Sequence, residues 1–471
     1  MTVQRDTWDS KLGFIMAASG SAVGLGNLWK FPYITWENNG GAFVLVYLGA
    51  VFFLGLPIMM GEIFVGRTAQ LSGAPAYKKL GGKGWSKLGY LGAAAGGIIL
   101  SYYMVIAGWS LYSFGQCVGW SFSGYPESFD GPAAFGKFTQ NGWLQIALTA
   151  GFTLMNGAII LRGIGRGIEK ATKIMMPILV LIMLYLVATA LFMDGRNEAL
   201  STIFSADFAA MEPKGYLEAV GQAFFSLSLG LGAMVAYGSY MKKNDSITHS
   251  ALWVVSLDTL FALLACVVMF TIIFSVPDLQ AKVSAGEVGT VGMLFIALPE
   301  LFYTVMPGGM VVAPLFFILV GFAALSSTLS LGEVVASIMI DRRGWNRKKA
   351  VLITASVVFV GSIFAALSLG ANKTLSGISF DGVPIMQIIF STKKGVLSLL
   401  DHLACNWMLP LGGLGTTLFV GWYLKNDFIL KELGIKQSNV VFNLWIWCLR
   451  VVAPAAIIAL IIAVAMGKDF S

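Results

Sequence analysis

Apolar runs long enough to cross a bilayer recur along this 471-residue chain, and they constrain its fold more than any other feature. A membrane-spanning helix needs about 20 mostly apolar residues. Only 12% of the chain is charged, 57% is hydrophobic and the mean hydropathy is +0.78. We therefore predict an all-α polytopic membrane protein with about eleven spans, centred near Ala22, Phe53, Tyr102, Ala150, Leu181, Leu229, Ala265, Ala323, Phe359, Leu411 and Ala456.

Lysine and arginine concentrate in alternate connections between these runs, which predicts the topology. Cytoplasmic loops carry the excess of positive charge in membrane proteins. This rule places the N-terminus in the cytoplasm and, with an odd number of spans, the C-terminus outside. Because the basic clusters sit in short loops between spans, we interpret them as a topology signal and expect no nucleic-acid partner. The clusters are Lys78/Lys79/Lys83/Lys87, Arg162/Arg166/Lys170/Lys173 and Arg342/Arg343/Arg347/Lys348/Lys349.

Residues that could support enzyme chemistry are scarce. The four cysteines lack a CxxC spacing, which argues against a metal site or a disulfide framework. His249 and His402 lie near predicted helix ends, where we expect solvated side chains. We therefore predict that the chain is not an enzyme and that its cysteines are packing residues, namely Cys117, Cys266, Cys405 and Cys448.

Two apolar runs are interrupted by glycine-rich breaks, GSAVGLGN at residues 20–27 and FSLSLGLG at residues 225–232. Glycine frees backbone polar groups, and at membrane depth such groups must be buried in protein or line a cavity. Each break opens a set of five spans, so the second set enters the bilayer from the opposite side. Transporters built from inverted repeats bind substrate between two discontinuous helices. We predict one domain over residues 1–471, with repeats at 11–190 and 215–423 and an eleventh helix at 441–466.

Several motifs closely resemble the neurotransmitter:sodium symporter family, in particular its bacterial amino-acid transporters such as the bacterial leucine transporter. The resemblance implies a 5+5 inverted-repeat fold with discontinuous helices 1 and 6, and sodium-coupled amino-acid symport by alternating access. It also implies a prokaryotic inner or plasma membrane and a monomer or homodimer. The motifs are Trp8, GSAVGLGNLWKFP (20–32), NNGGAF (38–43), GLPIMMGEIFVGR (55–67), RGIGRGIEK (162–170) and VGQAFFSLSLGLGA (220–233).

The breaks suggest a zwitterion site. Amides of Leu25 and Gly26 begin the outer half-helix, which suits a carboxylate, and the free carbonyls near Ala22, Phe225 and Ser226 suit an ammonium group. The resemblance adds the Tyr103 hydroxyl for the carboxylate and Ser228 as a polar contact, although Tyr103 could also be an ordinary packed aromatic. It further implies a side-chain pocket of Ile99, Tyr103, Phe225, Leu231, Ser327 and Leu331.

The composition of this pocket predicts the substrate class. Burying a lone charge among apolar side chains is costly, so we expect a neutral hydrophobic or aromatic L-amino acid. Family members that carry amines have an aspartate where this chain has Gly24. An extra carboxylate there would repel the substrate's own carboxylate, so Gly24 favours an α-amino acid.

Two sodium sites are implied by the resemblance, and both would consist of oxygen ligands, as hard cations require. The first site would use Ala22, Asn27, Ser226 and Asp258 together with the substrate carboxylate. The second would use the Gly20, Val23 and Ala323 carbonyls with the Ser326 and Ser327 hydroxyls. Serines inside spans are also common as helix-packing groups, and that alternative stays open for Ser326 and Ser327.

Asp258 stands where the family usually has asparagine, and an ionisable residue inside a span is a functional candidate. Animal relatives bind chloride at positions that match Tyr47, Gln222, Ser226 and Asp258. We hypothesise that the Asp258 carboxylate replaces that chloride, because Ala262, where the leucine transporter has a glutamate for this role, carries no charge. Transport should then be chloride-independent. Glu62, also within a span, is expected to organise the unwound first helix.

Two gates follow from the same resemblance. The inner gate would pair Arg5 with Asp341, supported by Trp8, Ser239 and Tyr240. The outer gate would pair Lys30, in place of the usual arginine, with Asp401, unless Lys30 merely snorkels. Gly167 and Pro177 match a family Gly-x9-Pro motif for local unwinding of the fifth helix. The rival functions are proton coupling or exchange on the same fold, an amino-acid sensor, and a membrane-embedded enzyme.

Overall fold

Helices account for the regular structure of the chain in a computed structural model that describes residues 6–126, 128–285, 289–380 and 383–470, and no strand occurs in these ranges. Within them, nine helices are long and apolar enough to cross a membrane. Their bounds are Gly41–Ala69, Ser86–Ser123, Gly142–Leu161, Ile164–Ala190, Ile247–Ser275, Gly309–Arg343, Arg347–Leu367, Val396–Tyr423 and Val440–Ala465.

The other two predicted spans are broken helices. Lys11–Ala22 and Gly26–Glu37 form a pair bent by 54°. Pro213–Ser226 and Ala233–Gly238 flank a second interruption at residues 227–232, where the predicted centre Leu229 lies. With the first pair counted as one span, the described ranges contain ten segments long and apolar enough to cross a membrane. The second pair occupies the predicted sixth span, and we number the segments in chain order, so the broken pairs are the first and sixth and the last helix is the eleventh.

Short helices connect the spans. They lie in the loops on both sides of the bundle and span Gly73–Gly81, Gly131–Gln140, Arg196–Phe204, Pro277–Ser284, Met293–Thr304, Lys373–Gly377, Pro384–Phe390 and Asn426–Leu433.

The fifth span begins with a wide π-helical turn, Ile164–Glu169, which is attached to the N-terminal segment. A Cβ on Gly167 would lie 2.3 Å from the Ile159 carbonyl oxygen, so the close approach here requires glycine. The buried Glu169 carboxylate accepts hydrogen bonds from the Asp9 amide (2.8 Å) and the Ser10 hydroxyl (2.9 Å). Pro177 lies inside the following helix, where it removes one backbone hydrogen bond. The predicted unwinding of this segment remains a prediction.

Candidate functional site

The first break lies between Lys11–Ala22 and Gly26–Glu37 and begins at Val23, whose backbone is extended. The last bond of the first half-helix, Lys11–Ala22, runs from the Val23 amide to the Ser19 carbonyl (2.7 Å). The Gly24 amide then donates to the Asn27 side-chain oxygen (3.1 Å). A Cβ on Gly24 would lie 2.8 Å from Ser327 Oγ and 3.2 Å from the Tyr103 hydroxyl, so only glycine leaves these two hydroxyls where they are.

The second break faces the first. Ser228, Gly230 and Gly232 have positive φ angles of 52°, 81° and 74°, which glycine adopts easily and serine rarely does. The Ser228 hydroxyl donates to the Ser21 carbonyl at the first break (3.2 Å), and this bond joins the two interruptions.

Glu62 accepts a hydrogen bond from the backbone of the second break. This carboxylate is 1% exposed and its Oε1 accepts a hydrogen bond from the Gly230 amide (2.8 Å). We expected Glu62 to organise the unwound first helix, and the structure places its hydrogen bond on the sixth instead. The reason is local: the positive φ of Gly230 turns its amide out of the helix ladder and toward the second span.

A small cavity of about 60 Å³ lies between the breaks. All the predicted substrate residues line it except Leu25, which lines a larger vestibule of about 440 Å³ on one side. Gly26, Tyr102, Tyr103 and Phe225 line both spaces, so these residues lie between them. The predicted residues that line the cavity are Ala22, Gly24, Gly26, Ile99, Tyr103, Phe225, Ser226, Ser228, Leu231, Ser327 and Leu331.

The cavity also contains residues that the sequence analysis missed, namely Ser21, Tyr102 and Leu409. Tyr102 neighbours Tyr103 in the same motif and could have been included on that ground. Leu409 follows a π-helical turn, Leu403–Met408, that shifts the register of the tenth span. No sequence signal marks such a turn, so Leu409 could not have been found.

Backbone groups and several side-chain hydroxyls, among them those of Tyr103, Ser228 and Ser327, supply the polar groups at this cavity. The Tyr103 hydroxyl accepts a hydrogen bond from the Leu25 amide (3.3 Å), and because Tyr103 lines both the cavity and the vestibule, this polar contact lies where the two spaces meet. The apolar side chains of Ile99, Leu231 and Leu331 also line the cavity. A ligand with a small polar head and an apolar body matches this combination.

A buried polar cluster adjoins the cavity at Asn27. Its amide nitrogen donates to Ser226 Oγ (3.0 Å) and to Asp258 Oδ1 (2.8 Å), and Ser226 Oγ donates to Asp258 Oδ2 (2.7 Å). The Tyr47 hydroxyl lies 3.5 Å from the same carboxylate. Asp258 is 0% exposed, and these described partners are all uncharged.

Gln222 is the remaining residue of the four predicted chloride positions. Its side chain is 2% exposed, and both amide atoms lack a hydrogen-bond partner in the described part of the chain. A buried carboxylate without a cationic partner is costly. The cluster is therefore suited to a cation bound beside Asp258, through the oxygens of Asn27 and Ser226.

The residues predicted for the second sodium site lie on the facing surfaces of the first and eighth spans. The Ser326 hydroxyl donates to the Ala323 carbonyl (3.0 Å) and the Ser327 hydroxyl donates to the Ser21 carbonyl (3.3 Å). A Cβ on Gly20 would lie 3.0 Å from Ser326 Cβ, so this glycine permits a close helix contact. Each hydroxyl oxygen keeps lone pairs that could bind a cation.

The described residues contain no group of three or more histidine, cysteine, aspartate or glutamate side chains that could hold a metal ion. The oxygen-rich positions at both breaks match alkali-metal ligands.

The predicted inner gate is described only in part, because Arg5 lies outside the described residues. Asp341 accepts hydrogen bonds from the Ser72 amide and hydroxyl, both at 2.8 Å. Trp8 is 2% exposed and its indole donates to the Tyr237 carbonyl (2.9 Å). Of the other predicted members, the Tyr240 carbonyl accepts from the Trp8 amide (3.2 Å) and the Ser239 hydroxyl donates to the Ala236 carbonyl (2.5 Å).

A buried ion pair that the sequence analysis missed lies in the same region. The Arg347 guanidinium contacts the Glu333 carboxylate at 2.7 Å, and the Tyr240 hydroxyl donates to that carboxylate at 2.6 Å. Arg347 also contacts Asp6 (3.8 Å) and the Ile160 carbonyl (2.9 Å). Glu333 is an ionisable residue inside a span, so the rule that singled out Asp258 would also have found it.

We expect Arg347→Ala to open this side of the protein, since it removes a cation that pairs with the fully buried Glu333 carboxylate at 2.7 Å, and breaking a buried ion pair costs about 3 to 5 kcal/mol. The measurement is the rate at which a maleimide modifies a cysteine substituted for Ser337, which is 1% exposed. The double variant Arg347→Ala/Glu333→Gln should restore slow modification. An unchanged rate in Arg347→Ala alone would contradict the proposed closing role of the pair.

The predicted outer pair is not formed in this structure. Lys30 Nζ donates to the Phe470 carbonyl (2.9 Å) and lies 4.7 Å from the centre of the Phe225 ring, and no ion pair joins it to Asp401 in the described chain. Asp401 instead accepts a weak hydrogen bond from Cys405 Sγ (3.4 Å). Both side chains nevertheless line the vestibule.

His402 corrects another expectation, since we predicted a solvated side chain and found it 1% exposed. Its ring Nδ1 lies 2.8 Å from Asn406 Nδ2 and 3.2 Å from Asp469 Oδ1. The segment after the eleventh span covers this histidine, and sequence proximity to a helix end could not reveal that. His249 is exposed as expected.

Comparison with known proteins gives consistent similarities. The pattern of the Sodium:neurotransmitter symporter family matches residues 5–124 and 134–469. An uncharacterized sodium-dependent transporter of Bacillus subtilis, YhdH, is 33% identical over 96% of both chains. The sodium-dependent neutral amino acid transporter B(0)AT2 of Bos taurus is 29% identical over 57% of this chain and 41% of its own length.

A solved structure shares the whole fold. The crystal structure of MhsT in complex with L-phenylalanine superposes with a TM-score of 0.86 at 36% identity, covering 98% of this chain and 100% of that one. This likeness confirms the predicted helical transporter fold with its two discontinuous helices.

Proposed function

This chain belongs to the sodium:neurotransmitter symporter family, and we propose that it moves a neutral hydrophobic or aromatic L-amino acid by alternating access without requiring chloride. As a member of that family it is a multi-pass, sodium-dependent membrane transporter of amino acids and not an enzyme. The finer statements about substrate, ions and orientation are our proposal.

The observation that carries the substrate class is the position of Gly24. Its missing side chain leaves room beside the Tyr103 hydroxyl and Ser327 Oγ, where an α-carboxylate could reach the Tyr103 hydroxyl and the Leu25 and Gly26 amides. The apolar side chains of Ile99, Leu231 and Leu331 in the same cavity favour a substrate with a hydrophobic side chain. MhsT binds L-phenylalanine and B(0)AT2 carries neutral amino acids, which supports the same class for this chain.

We further propose two sodium sites. The first joins Ala22, Asn27, Ser226 and Asp258 to the substrate carboxylate, and the second joins Gly20, Val23, Ala323, Ser326 and Ser327. The uncharged surroundings of buried Asp258 support a cation at the first site. Because the substrate's own carboxylate would complete that site, ion and substrate would stabilise each other's binding, which is the physical basis of coupling.

The remaining assignments concern orientation and assembly. We propose a prokaryotic inner or plasma membrane, a cytoplasmic N-terminus, and the vestibule above Phe225 opening to the outside. Residues 11–190 and 215–423 act as the two repeats, with 441–466 as the added helix, in a monomer or homodimer. The inner gate of Arg5 with Asp341 stays part of the proposal, as does an Asp401 partner for Lys30 in another conformation.

Reconstituted protein tests the function. We expect proteoliposomes to accumulate labelled leucine or phenylalanine when a sodium gradient points inward, and to lose the accumulation when potassium replaces sodium. Counterflow without an ion gradient separates exchange from coupling, and a proton gradient alone tests the rival mechanism. Binding without any uptake would favour a sensor and contradict the proposal.

A further inference from the structure

The segment that follows the eleventh span turns back over the vestibule. The helix ends at Ala465, and Gly467 has a φ of 85°, with its amide bonded to the Val464 carbonyl (2.9 Å). The Lys468 amide bonds to the Ala463 carbonyl (3.0 Å). This is the Schellman arrangement, in which a left-handed glycine reverses the chain at a helix end.

The returning segment, residues 466–470, meets a buried polar pair on the tenth span. Asn406 is 1% exposed, its amide nitrogen donates to Asp469 Oδ1 (2.7 Å), and its side-chain oxygen accepts from the Phe470 amide (3.1 Å). His402 lies 3.2 Å from the same Asp469 oxygen. Buried polar groups in a span are costly unless they are paired, and residues 469 and 470 supply the partners for this pair.

The same segment reaches two other spans. The Phe470 carbonyl accepts from Lys30 Nζ on the first span (2.9 Å), and Phe470 Cβ lies 3.5 Å from where a Cβ on Gly221 of the sixth span would be. Asp469 also forms an ion pair with Lys393 (2.5 Å). Both Asp469 and Phe470 line the vestibule. The segment thus contacts the outer halves of both broken helices and the tenth span at once.

We propose that residues 466–470 form a strap that lies across the vestibule and restricts passage through it, with the Phe470 carbonyl as the partner of Lys30 and the His402–Asn406 pair as the receptor for Asp469. Substrate entry from the vestibule requires the strap to release. This inference rests on the proposed function for its role in transport, although the strap itself can be measured without transport.

The test measures access to a buried vestibule position. Ile106 is 9% exposed and lines the vestibule, so Ile106→Cys, with Cys405→Ala to remove the native thiol nearby, reports opening to a membrane-impermeant cationic methanethiosulfonate reagent. We expect Asp469→Ala to raise the modification rate about tenfold, because charge-assisted hydrogen bonds are lost. Lys468→Ala, in the same segment but exposed, should leave the rate unchanged.

A second variant changes the turn at Gly467 and keeps every contact that the strap makes. A Cβ on Gly467 would meet nothing within 4 Å, so Gly467→Val disfavours only the left-handed turn and should also raise the rate. Gly434, at the end of Asn426–Leu433, is an equivalent left-handed glycine, and a Cβ there would also meet nothing within 4 Å. Gly434→Val should therefore leave the modification rate unchanged. Equal rates in the parent, Asp469→Ala and Gly467→Val would overturn the strap. Absence of uptake in the parent, with these rate differences intact, would instead count against the proposed function.

Discussion

Asp258→Asn should make transport dependent on chloride. Asparagine has nearly the same shape as aspartate. Its oxygen can accept the hydrogen bond from the Asn27 amide, and its amide nitrogen can donate to the Ser226 hydroxyl, which then acts as acceptor, so the site should fold unchanged. What disappears is the fixed negative charge beside the proposed sodium ion. Because the interior screens charges poorly, losing that attraction costs several kcal/mol, of order 4 kcal/mol at 4 Å with an effective dielectric constant of about 20.

The expected result is a fall of at least about tenfold in uptake when gluconate replaces chloride, a factor that needs only about 1.4 kcal/mol of lost attraction. Chloride should restore uptake through the Tyr47, Gln222 and Ser226 side chains, and the unpartnered Gln222 amide is available to such an anion. Wild-type uptake should be the same in both buffers.

Asp401→Asn is the matched control for this experiment. Asp401 is a second carboxylate in the same protein, but it lines the vestibule and not the cluster at Asn27. Its variant should stay chloride-independent. If Asp258→Asn transports equally well in chloride-free buffer, the charge at position 258 does not replace chloride.

Gly24→Asp should abolish amino-acid uptake. The new carboxylate would stand beside the Tyr103 hydroxyl and Ser327 Oγ, in the space that we assign to the substrate carboxylate. Two carboxylates about 4 Å apart in a buried site repel each other by several kcal/mol. A repulsion of about 3 kcal/mol already corresponds to more than a hundredfold loss of affinity.

The comparison that isolates charge is Gly24→Asn, which adds nearly the same volume without the charge. Both variants push Ser327 or Tyr103 aside, so both should weaken binding, but Gly24→Asp should be far weaker in a scintillation-proximity assay with labelled leucine. Gly97→Ala, whose Cβ would lie 3.8 Å from Val335, should bind normally. Equal losses for Asp and Asn at position 24 would mean that volume alone decides, and the electrostatic argument for an amino-acid substrate would fail.

The predictable and unpredictable parts of the molecule differ in a physical way. The length of an apolar run and a glycine-rich break are local properties, so the spans and the two interruptions can be predicted from the sequence. Motif resemblance then assigns Gly24, Tyr103 and Ser228 to one site. The partner of Lys30 is not local: it is a backbone carbonyl at residue 470, more than four hundred positions away, and carbonyls leave no compositional mark.

Two further misses have a common cause. Leu409 enters the cavity through a π-helical turn, and Glu62 bonds the sixth helix through the turned-out amide of Gly230. Both depend on backbone conformation, which residue type constrains only weakly. The missed Arg347–Glu333 pair has a different cause. Ionisable residues in or beside a span can be recognised from the sequence, so this pair was predictable.

The polar groups of the central cavity have an evolutionary consequence. Amides and carbonyls at residues 22–26 and 225–226 belong to the main chain, and no substitution other than proline removes them. Substitution can instead reshape the apolar lining at Ile99, Leu231, Leu331 and Leu409. Descendants of such a protein should therefore diverge readily in the size of side chain they accept, while the demand for an α-amino acid head group changes only when a position such as 24 acquires a side chain.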